Sequence, residues 1–544
     1  MKKISTSIYL LKGSVSSNTA VMNTHDCIEH SLEIEGTEAK LFIKQPSSNK
    51  PAFADLFTQQ PNFKEMDFGS NQSTGGVLQV QFAGNTFYLT FGHGYHLLDK
   101  DYFEPNFGLR VALNSTDIEE VRSVDTASNK AAPLNTRMQC GKGTKVNDFP
   151  IDVDEDMLQA IVGKSSEAIF NSQISGNRYA LGIKLTADLK LLPTILTKAW
   201  QYFKAPLKPE LKWVENIAEV TEDKLIDTLN NALVNALSQP TQNDFYLLEP
   251  EVVDLDLIAG YSYEKRSTQM FEMLSLSRYV KAATLNGKRA LELSHLKTKC
   301  KIYAKDDNHQ TVKTWSGLEC IYGELVHNGE HFAIRNGVWY QMNKDFVKEV
   351  NDAIAQIPAY QYSLPDYDHK NEGAYNCDVA AQRTEIQSLD TKNIMLGGGK
   401  SRFEFCDLAN SNNGTDSKFD LIHVKHYKNS SAELSHLFSQ GVVSAEIFRS
   451  SAEARKKLYD SHPNVMPLSN SKQQPNANDY RVVFAIYGVK ALPHKLPFFS
   501  KVNLRNAYNR LNLLGYHVAL AHIQVSKNKL ARSQCKPTGN KNAA

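Results

Sequence analysis

No two of the seven cysteines (Cys27, Cys140, Cys300, Cys320, Cys377, Cys406 and Cys535) stand at CxxC spacing, and their number is odd. A disulfide framework and a structural zinc site are therefore not expected. Scattered thiols match a reducing cytoplasm. Charge of one sign is equally scarce: 61 basic residues face 59 acidic ones, for a formal net charge of +2. No global basic field is available to hold nucleic acid, so such a partner needs local patches. Long apolar runs are missing too. The most apolar stretch, residues 185–203, contains Asp188, Lys190, Pro193 and Lys198, too polar for a bilayer span. The opening Met1-Lys2-Lys3-Ile4 leads into Ser5, Thr6 and Ser7, which break any signal-peptide core, so the segment reads as an alternating strand. The expectation is a soluble, cytoplasmic protein without a membrane segment. There is no internal repeat. The run Gly397-Gly398-Gly399-Lys400-Ser401 is not a phosphate-binding P-loop, because Ile394 stands where its first glycine belongs.

What is present divides by period. A chain of 544 residues exceeds one ordinary core, so two to four domains are expected. Residues 1–115 read as β-rich. Leu78 to Phe82 and Phe87 to Phe91 alternate around the turn Ala83-Gly84-Asn85, and Gly108-Leu109-Arg110-Val111-Ala112-Leu113 reads as a further strand. His93-Gly94-Tyr95-His96 offers two histidines without a third ligand, the mark of a loop rather than a metal site.

Residues 116–250 form a mixed, helix-rich region. Asp154-Glu155-Asp156 reads as a helix start, with Met157, Ala160, Ile161 and Val162 behind it. Thr221-Glu222-Asp223 opens a second helix with a stripe of Leu225, Ile226, Leu229, Leu233 and Leu237. Residues 251–357 form an α+β middle region. There Phe332 to Tyr340 is strand, Asn336-Gly337 turn and strand, and 344–357 is an amphipathic helix. Residues 358–525 mix both periods, and the basic tail, 526–544, is expected to be disordered. The fold class is α+β or α/β, multidomain.

The chemistry concentrates in the last domain. In Phe419-Asp420-Leu421-Ile422-His423-Val424-Lys425, alternation puts His423 and Lys425 on one face, with Ile422 and Val424 on the other. A histidine and a lysine two apart on an apolar strand are costly to bury unless they act together. Upstream, Asp407 closes the apolar segment Phe403-Glu404-Phe405-Cys406. The polar turn Asn410-Ser411-Asn412-Asn413-Gly414 joins the two strands as a hairpin, bringing Asp407 toward His423 and Lys425. A carboxylate that ligates Mg²⁺ beside an ammonium that orients water suits phosphodiester hydrolysis.

The arrangement resembles the PD-(D/E)XK nuclease superfamily over residues 367–487. That resemblance implies a core of a helix, a three-stranded meander, a helix and a returning strand. Asn371-Glu372-Gly373-Ala374-Tyr375-Asn376 is similar to the first-helix motif of defence-type members, whose glutamate joins the metal site. Asp407 matches the first aspartate, and His423-Val424-Lys425 falls where (D/E)XK is expected. The helix carrying Ser435-His436-Leu437-Phe438-Ser439-Gln440 matches the one after the lysine, with Gln440 orienting the lysine or a phosphate. The departure is His423 in place of the usual acid; histidine suits Mg²⁺ poorly and Mn²⁺ better. The resemblance implies a catalytic set of Lys425, Asp407, His423, Glu372 and Gln440, with Asp407, Glu372 and His423 as metal ligands for Mg²⁺ or Mn²⁺. Lys400, Arg402, Lys428 and His436 are the candidates for nucleic-acid contact.

The whole chain also resembles a sporadically distributed bacterial family found near prophage and restriction genes. The resemblance rests on Phe107-Gly108-Leu109-Arg110-Val111 with Leu113-Asn114, on Gly337-Val338-Trp339-Tyr340, on Ile422-His423-Val424-Lys425, and on Leu434-Ser435-His436-Leu437-Phe438. It implies a role in restricting foreign DNA, as a homo-oligomer or with a defence partner. Two other readings remain open from sequence: a scaffold or nucleic-acid-binding protein with a degenerate fold, and an RNase toxin.

Overall fold

Apolar–polar alternation in the first 186 residues builds one ten-stranded sheet. The computed structural model describes residues 3–526 except 16–19, 50, 52–53, 55–56, 58–65, 129–134, 187–188, 240–244, 252, 254, 390–393, 397–400, 412–417, 428–430, 463–470 and 489–490. The basic tail from residue 527 lies outside the described residues. The chain is a mixed α and β protein of two compact units, residues up to 215 and from 216 onward, with residues 129–133 grouped with the second. The boundary expected near 115 instead falls within the first unit, and that near 250 within the second.

Every neighbouring pair in the ten-stranded sheet is antiparallel. Its edges are Cys27–Ile34 and Asn135–Thr144, and Lys3–Leu10 lies in the middle between Asn85–Gly92 and Leu181–Thr186. One face packs Ile8, Leu89, Ile161 and Leu181 into a core shared with helices α1 (Phe107–Ser115) and α2 (Leu192–Lys204). The segment 108–113, expected as a strand, lies within α1. It is buried on nearly every side, so no polar stripe marks its helical period. The segment opened by Asp154-Glu155-Asp156, expected as a helix, gives the strand Asp156–Ser165. A register shift between Leu158 and Ala160, with Gln159 as the extra residue, interrupts its two-residue alternation and imitates helical spacing.

The motif around α1 is structural. Arg110 donates through Nε and Nη2 to the carbonyl of Ala205 at 3.1 and 2.8 Å, and Asn114 Nδ2 donates to Tyr202 O at 2.9 Å. The two side chains satisfy carbonyls at the C-terminal end of α2 that have no partner within the helix. Gly108 permits close helix–sheet approach: a Cβ there would stand 2.0 Å from Ala180 O. Gly108→Ala is expected to lower the unfolding free energy by about 1–3 kcal/mol, the usual cost of overpacking. A denaturant midpoint equal to that of the wild type would contradict this contact.

In the second unit, α3 (Asp223–Ser238) buries Leu229, Leu233 and Leu237 as its stripe requires. Asn230 on α3 accepts the Trp339 indole N–H at 2.9 Å, which ties the Gly337–Tyr340 motif to the core. The Asn336-Gly337 turn has both residues at positive φ. Helix α4 (Lys344–Ala355) is capped by Asn343.

The last part is a five-stranded sheet: β1 (Ile386–Ser388), β2 (Leu408–Asn410), β3 (Phe419–His426), β4 (Tyr480–Tyr487) and β5 (His517–Ile523), in that spatial order. The first three form an antiparallel meander, and β4 and β5 run parallel to β3. Helix α5 (Glu372–Gln382) precedes the meander. Helices α6 (Ser431–Ser450) and α7 (Ala452–Ser461) link β3 to β4, and α8 (Phe498–Leu513) links β4 to β5. Tyr375 and Val379 of α5 share one core with Ile422 and Val424; Leu437 and Leu504, of α6 and α8, share the other with Leu421 and Phe484. The apolar segment 403–406, expected as one strand closed by Asp407, instead links Ser401–Phe403, paired with Ile394–Leu396, to β2. Asp407 therefore stands just before β2 instead of closing a longer strand.

Candidate functional site

Three of the expected site residues meet around the end of β3. Glu372 is the first residue of α5, behind the cap Asn371, whose Oδ1 accepts the Ala374 N–H at 2.9 Å. An acid there is favoured by the helix dipole. Glu372 Oε1 accepts the backbone N–H of His426 at 3.1 Å, and Oε2 accepts Lys425 Nζ at 3.2 Å. Both side chains remain accessible, at 30% and 28% exposure, so solvent reaches the pair. Asp407 continues the β2–β3 pairing by donating its N–H to Ile422 O at 3.0 Å, and its Oδ2 accepts the Val424 N–H at 2.7 Å.

Backbone N–H groups two residues apart on a strand point to the same edge. The N–H groups of Val424 and His426 are separated by about 6.6 Å at the ordinary strand rise. They thus hold two carboxylates side by side where β3 outruns β2, with the Lys425 ammonium on the second.

His423 is not part of this group. It is 2% exposed and packs under α6. Its Nε2 lies 3.4 Å from Ser444 Oγ, and its ring centroid is 6.3 Å from that of Phe484. Ser444 Oγ donates to Gly441 O at 3.0 Å, which leaves the hydroxyl oxygen to accept from the imidazole. Burial pulls the His423 pKa down to about 4, so the ring is neutral near pH 7. Unfolding restores a value near 6.5, so below that pH the unfolded chain takes up the proton first. Stability is expected to fall by up to ~3 kcal/mol as pH drops from about 6.5 to 4. Urea melts across this range test it: His423→Asn is expected to flatten the slope relative to wild type, and parallel curves would contradict the assignment.

Gln440 and His436 lie one and two turns toward the N-terminus of α6 from Ser444. The strands β3 and β4 are parallel, so the helix between them runs antiparallel to both. One helical turn advances about 6 Å and two strand residues about 6.6 Å. With Ser444 over His423, half-buried Gln440 comes level with Lys425, and exposed His436 lies further outward. Lys400 and Lys428 lie outside the described residues. So does the side chain of Arg402, whose backbone belongs to the strand Ser401–Phe403.

Sequence reasoning missed the floor of the site. The His426 ring stacks on Tyr487 at 4.5 Å with a 3° interplanar angle, and Tyr367 covers Tyr487 at 3.8 Å. Gly488, at φ +89°, lets the chain turn against this stack; a Cβ there would stand 2.8 Å from Tyr427 O. His426 beside the lysine was the only available signal. At the opposite end of β3 lies a second missed feature. Asp420 is fully buried and accepts from Arg481 Nε at 2.8 Å, Tyr360 Oη at 2.7 Å and Asn410 Nδ2 at 3.2 Å.

Among the described residues, no three His, Cys, Asp or Glu side chains converge as a metal cluster, and no helix is long and apolar enough to cross a membrane. The six described cysteines are free thiols. The class of molecule is therefore a two-unit α+β protein whose last sheet gathers two carboxylates and an ammonium at one strand end. The profile of a family of unknown function (DUF6119) matches residues 6–524, and the chain belongs to that family. No curated protein and no solved structure matches it.

Proposed function

We propose that the C-terminal part of the chain is a metal-dependent nuclease domain of the PD-(D/E)XK type, a DNA endonuclease directed at phage or other invading DNA. The observation that carries the reading is the meeting of Glu372, Asp407 and Lys425 around residues 424–426. The order of α5, meander, α6 and β4 supports it, being the order the sequence resemblance implies.

The donor set fits a hard divalent cation. Mg²⁺ commonly takes only one or two carboxylates and completes its shell with water and phosphate oxygens. Glu372 and Asp407 are two such carboxylates, each fixed through one oxygen by a backbone N–H. When bound, Mg²⁺ or Mn²⁺ supplies polarisation of the phosphate and a more acidic water. The chain does the rest. Glu372 and Asp407 bind and orient, and the Lys425 ammonium stabilises charge that develops on the phosphate. Gln440 steadies the lysine, and His436 contacts the phosphate backbone. His423 serves as a neutral packing group that holds α6 over the site.

That neutral histidine, standing where the superfamily carries an acid, favours a second reading: a nucleic-acid-binding or scaffold protein that kept the fold without catalysis. The deciding experiment incubates the purified full chain with supercoiled plasmid, and in parallel with RNA, in Mg²⁺, Mn²⁺ or EDTA. Nicked and linear plasmid appearing only with metal is the expected result. Binding without cleavage in either metal would favour the scaffold, and loss of RNA alone would favour the RNase.

A further inference from the structure

The face of the ten-stranded sheet opposite α1 and α2 carries two adjoining cavities of about 520 and 450 Å³. They share Ser7, Val162, Gln173, Ser175 and Gly182, so they form one trough. Its floor follows the strand register without a break: Ser7 pairs with Gly182, Gly182 with Ser175, Ser175 with Val162, Val162 with Ser123, and Ser123 with Gln139. Five strand spacings make this row about 24 Å long, enough for several nucleotides.

Two features give the trough a chemical preference. The first is charge. Lys184 lines one cavity, and Arg122 and Arg137 line the other. The only acid lining either cavity, Asp125, is held by Arg137 at 2.8 and 2.5 Å. Arg122 and Lys184 form no ion pair among the described residues, and both are exposed. Against the strand Asp156–Ser165, Arg122 is the extra residue of a bulge: Val121 and Ser123 pair with the consecutive residues Gly163 and Val162. Bulges re-aim side chains, and this one turns a cation into the trough.

The second feature is a set of exposed rings at the rim. Tyr95 lines the larger cavity and is 40% exposed. His96 lies 4.0 Å from Tyr95, and His93 stacks on His96 at 6.2 Å. The turn bearing them is held tightly: a Cβ on Gly94 would stand 2.1 Å from Gly76 O, and one on Gly75 would stand 2.4 Å from Gly94 N. A rigid turn presenting rings to solvent beside a cationic trough has the parts of a single-strand binding surface, in which bases stack and the backbone tracks positive charge.

We propose that this trough binds single-stranded nucleic acid, with bases stacked on Tyr95 and His96 and phosphates met by Lys184 and Arg122. A duplex has no unstacked bases to offer the rings. The proposal uses none of the residues of the C-terminal site, so its failure and that of the nuclease reading are separable.

The test is fluorescence anisotropy of the full-length chain with labelled 20-nucleotide oligo-dT, oligo-U and a duplex control, in EDTA to prevent cleavage. Tighter binding of either single strand than of duplex, by about tenfold, is expected. Tyr95→Ala is expected to weaken binding at least fivefold. Arg122→Glu with Lys184→Glu is expected to weaken it more and to lower the slope of log K against log salt by roughly 1.4. All three side chains are exposed, so melting temperatures should be unchanged; if Tyr95→Ala does not fold, the charge variant decides. Binding unaltered by the charge variant, duplex binding as tight as single-strand binding, or no binding would each overturn the proposal.

Discussion

Replacing Lys425 with alanine is expected to slow plasmid cleavage by about 10²–10³-fold, the cost of removing one fixed charge aimed at a developing anion. The ammonium is held 3.2 Å from Glu372 at the end of β3, beside the N–H that engages Asp407. It stays accessible, so removing it leaves no buried cavity. Lys425→Ala should therefore fold and melt as the wild type does while losing rate. Arginine is not an equivalent replacement, because its planar fork does not reproduce a compact ammonium. Glu372→Gln and Asp407→Asn complete the argument. Each keeps a side-chain oxygen that can still accept its backbone N–H, so the strand end is preserved while the negative charge is lost. Both variants should be folded and at least as slow as Lys425→Ala. Cleavage at the wild-type rate in any of the three would remove this centre from consideration.

Asp420→Ala is expected to cost about 3–5 kcal/mol of stability, the penalty for leaving one member of a buried ion pair alone. Asp420 is fully buried, and it gathers Arg481, Tyr360 and Asn410 at the end of β3 away from the candidate site. The Arg481 guanidinium is itself only 10% exposed and lies 5.4 Å from the Tyr360 ring centroid. Without the carboxylate it stays in a poorly solvated place. Against total stabilities of about 5–15 kcal/mol, such a loss unfolds much of the population under mild denaturant. The double variant Asp420→Leu, Arg481→Met should recover most of it, because a well-packed apolar pair often replaces a buried ion pair at little cost. Equilibrium unfolding in urea measures both. A loss below about 1 kcal/mol for Asp420→Ala would show that the pair does not hold β3 to β4.

Some elements were legible in the sequence because one period dominated. In α3, leucines at 229, 233 and 237 fall on one face and are buried, together with Asn230. The Asn336-Gly337 turn declares a hairpin through its need for positive φ at both positions. Other segments misled for physical reasons. Helix α1 has no polar face to reveal its period, and the strand from Asp156 to Ser165 carries an extra residue, Gln159, that blurs its alternation. In the candidate site, Glu372, Asp407 and Lys425 were visible as unusual charges at element ends. The burial of His423 was not, because alternation says which face a side chain takes but not how deeply a later helix covers it. Nor did the Asp420–Arg481 pair announce itself, since its partners stand 61 residues apart on two strands and meet only through parallel register.

Titration of the metal-free full-length chain with Mn²⁺, read by loss of the free-ion electron paramagnetic resonance signal, tests most directly whether the two carboxylates at the end of β3 form one cation site. One bound ion per chain is predicted for the wild type and for Lys425→Ala, with binding lost or weakened at least tenfold in Glu372→Gln and in Asp407→Asn. Full occupancy in both carboxylate variants, or no bound Mn²⁺ in the wild type at millimolar ion, would contradict the account.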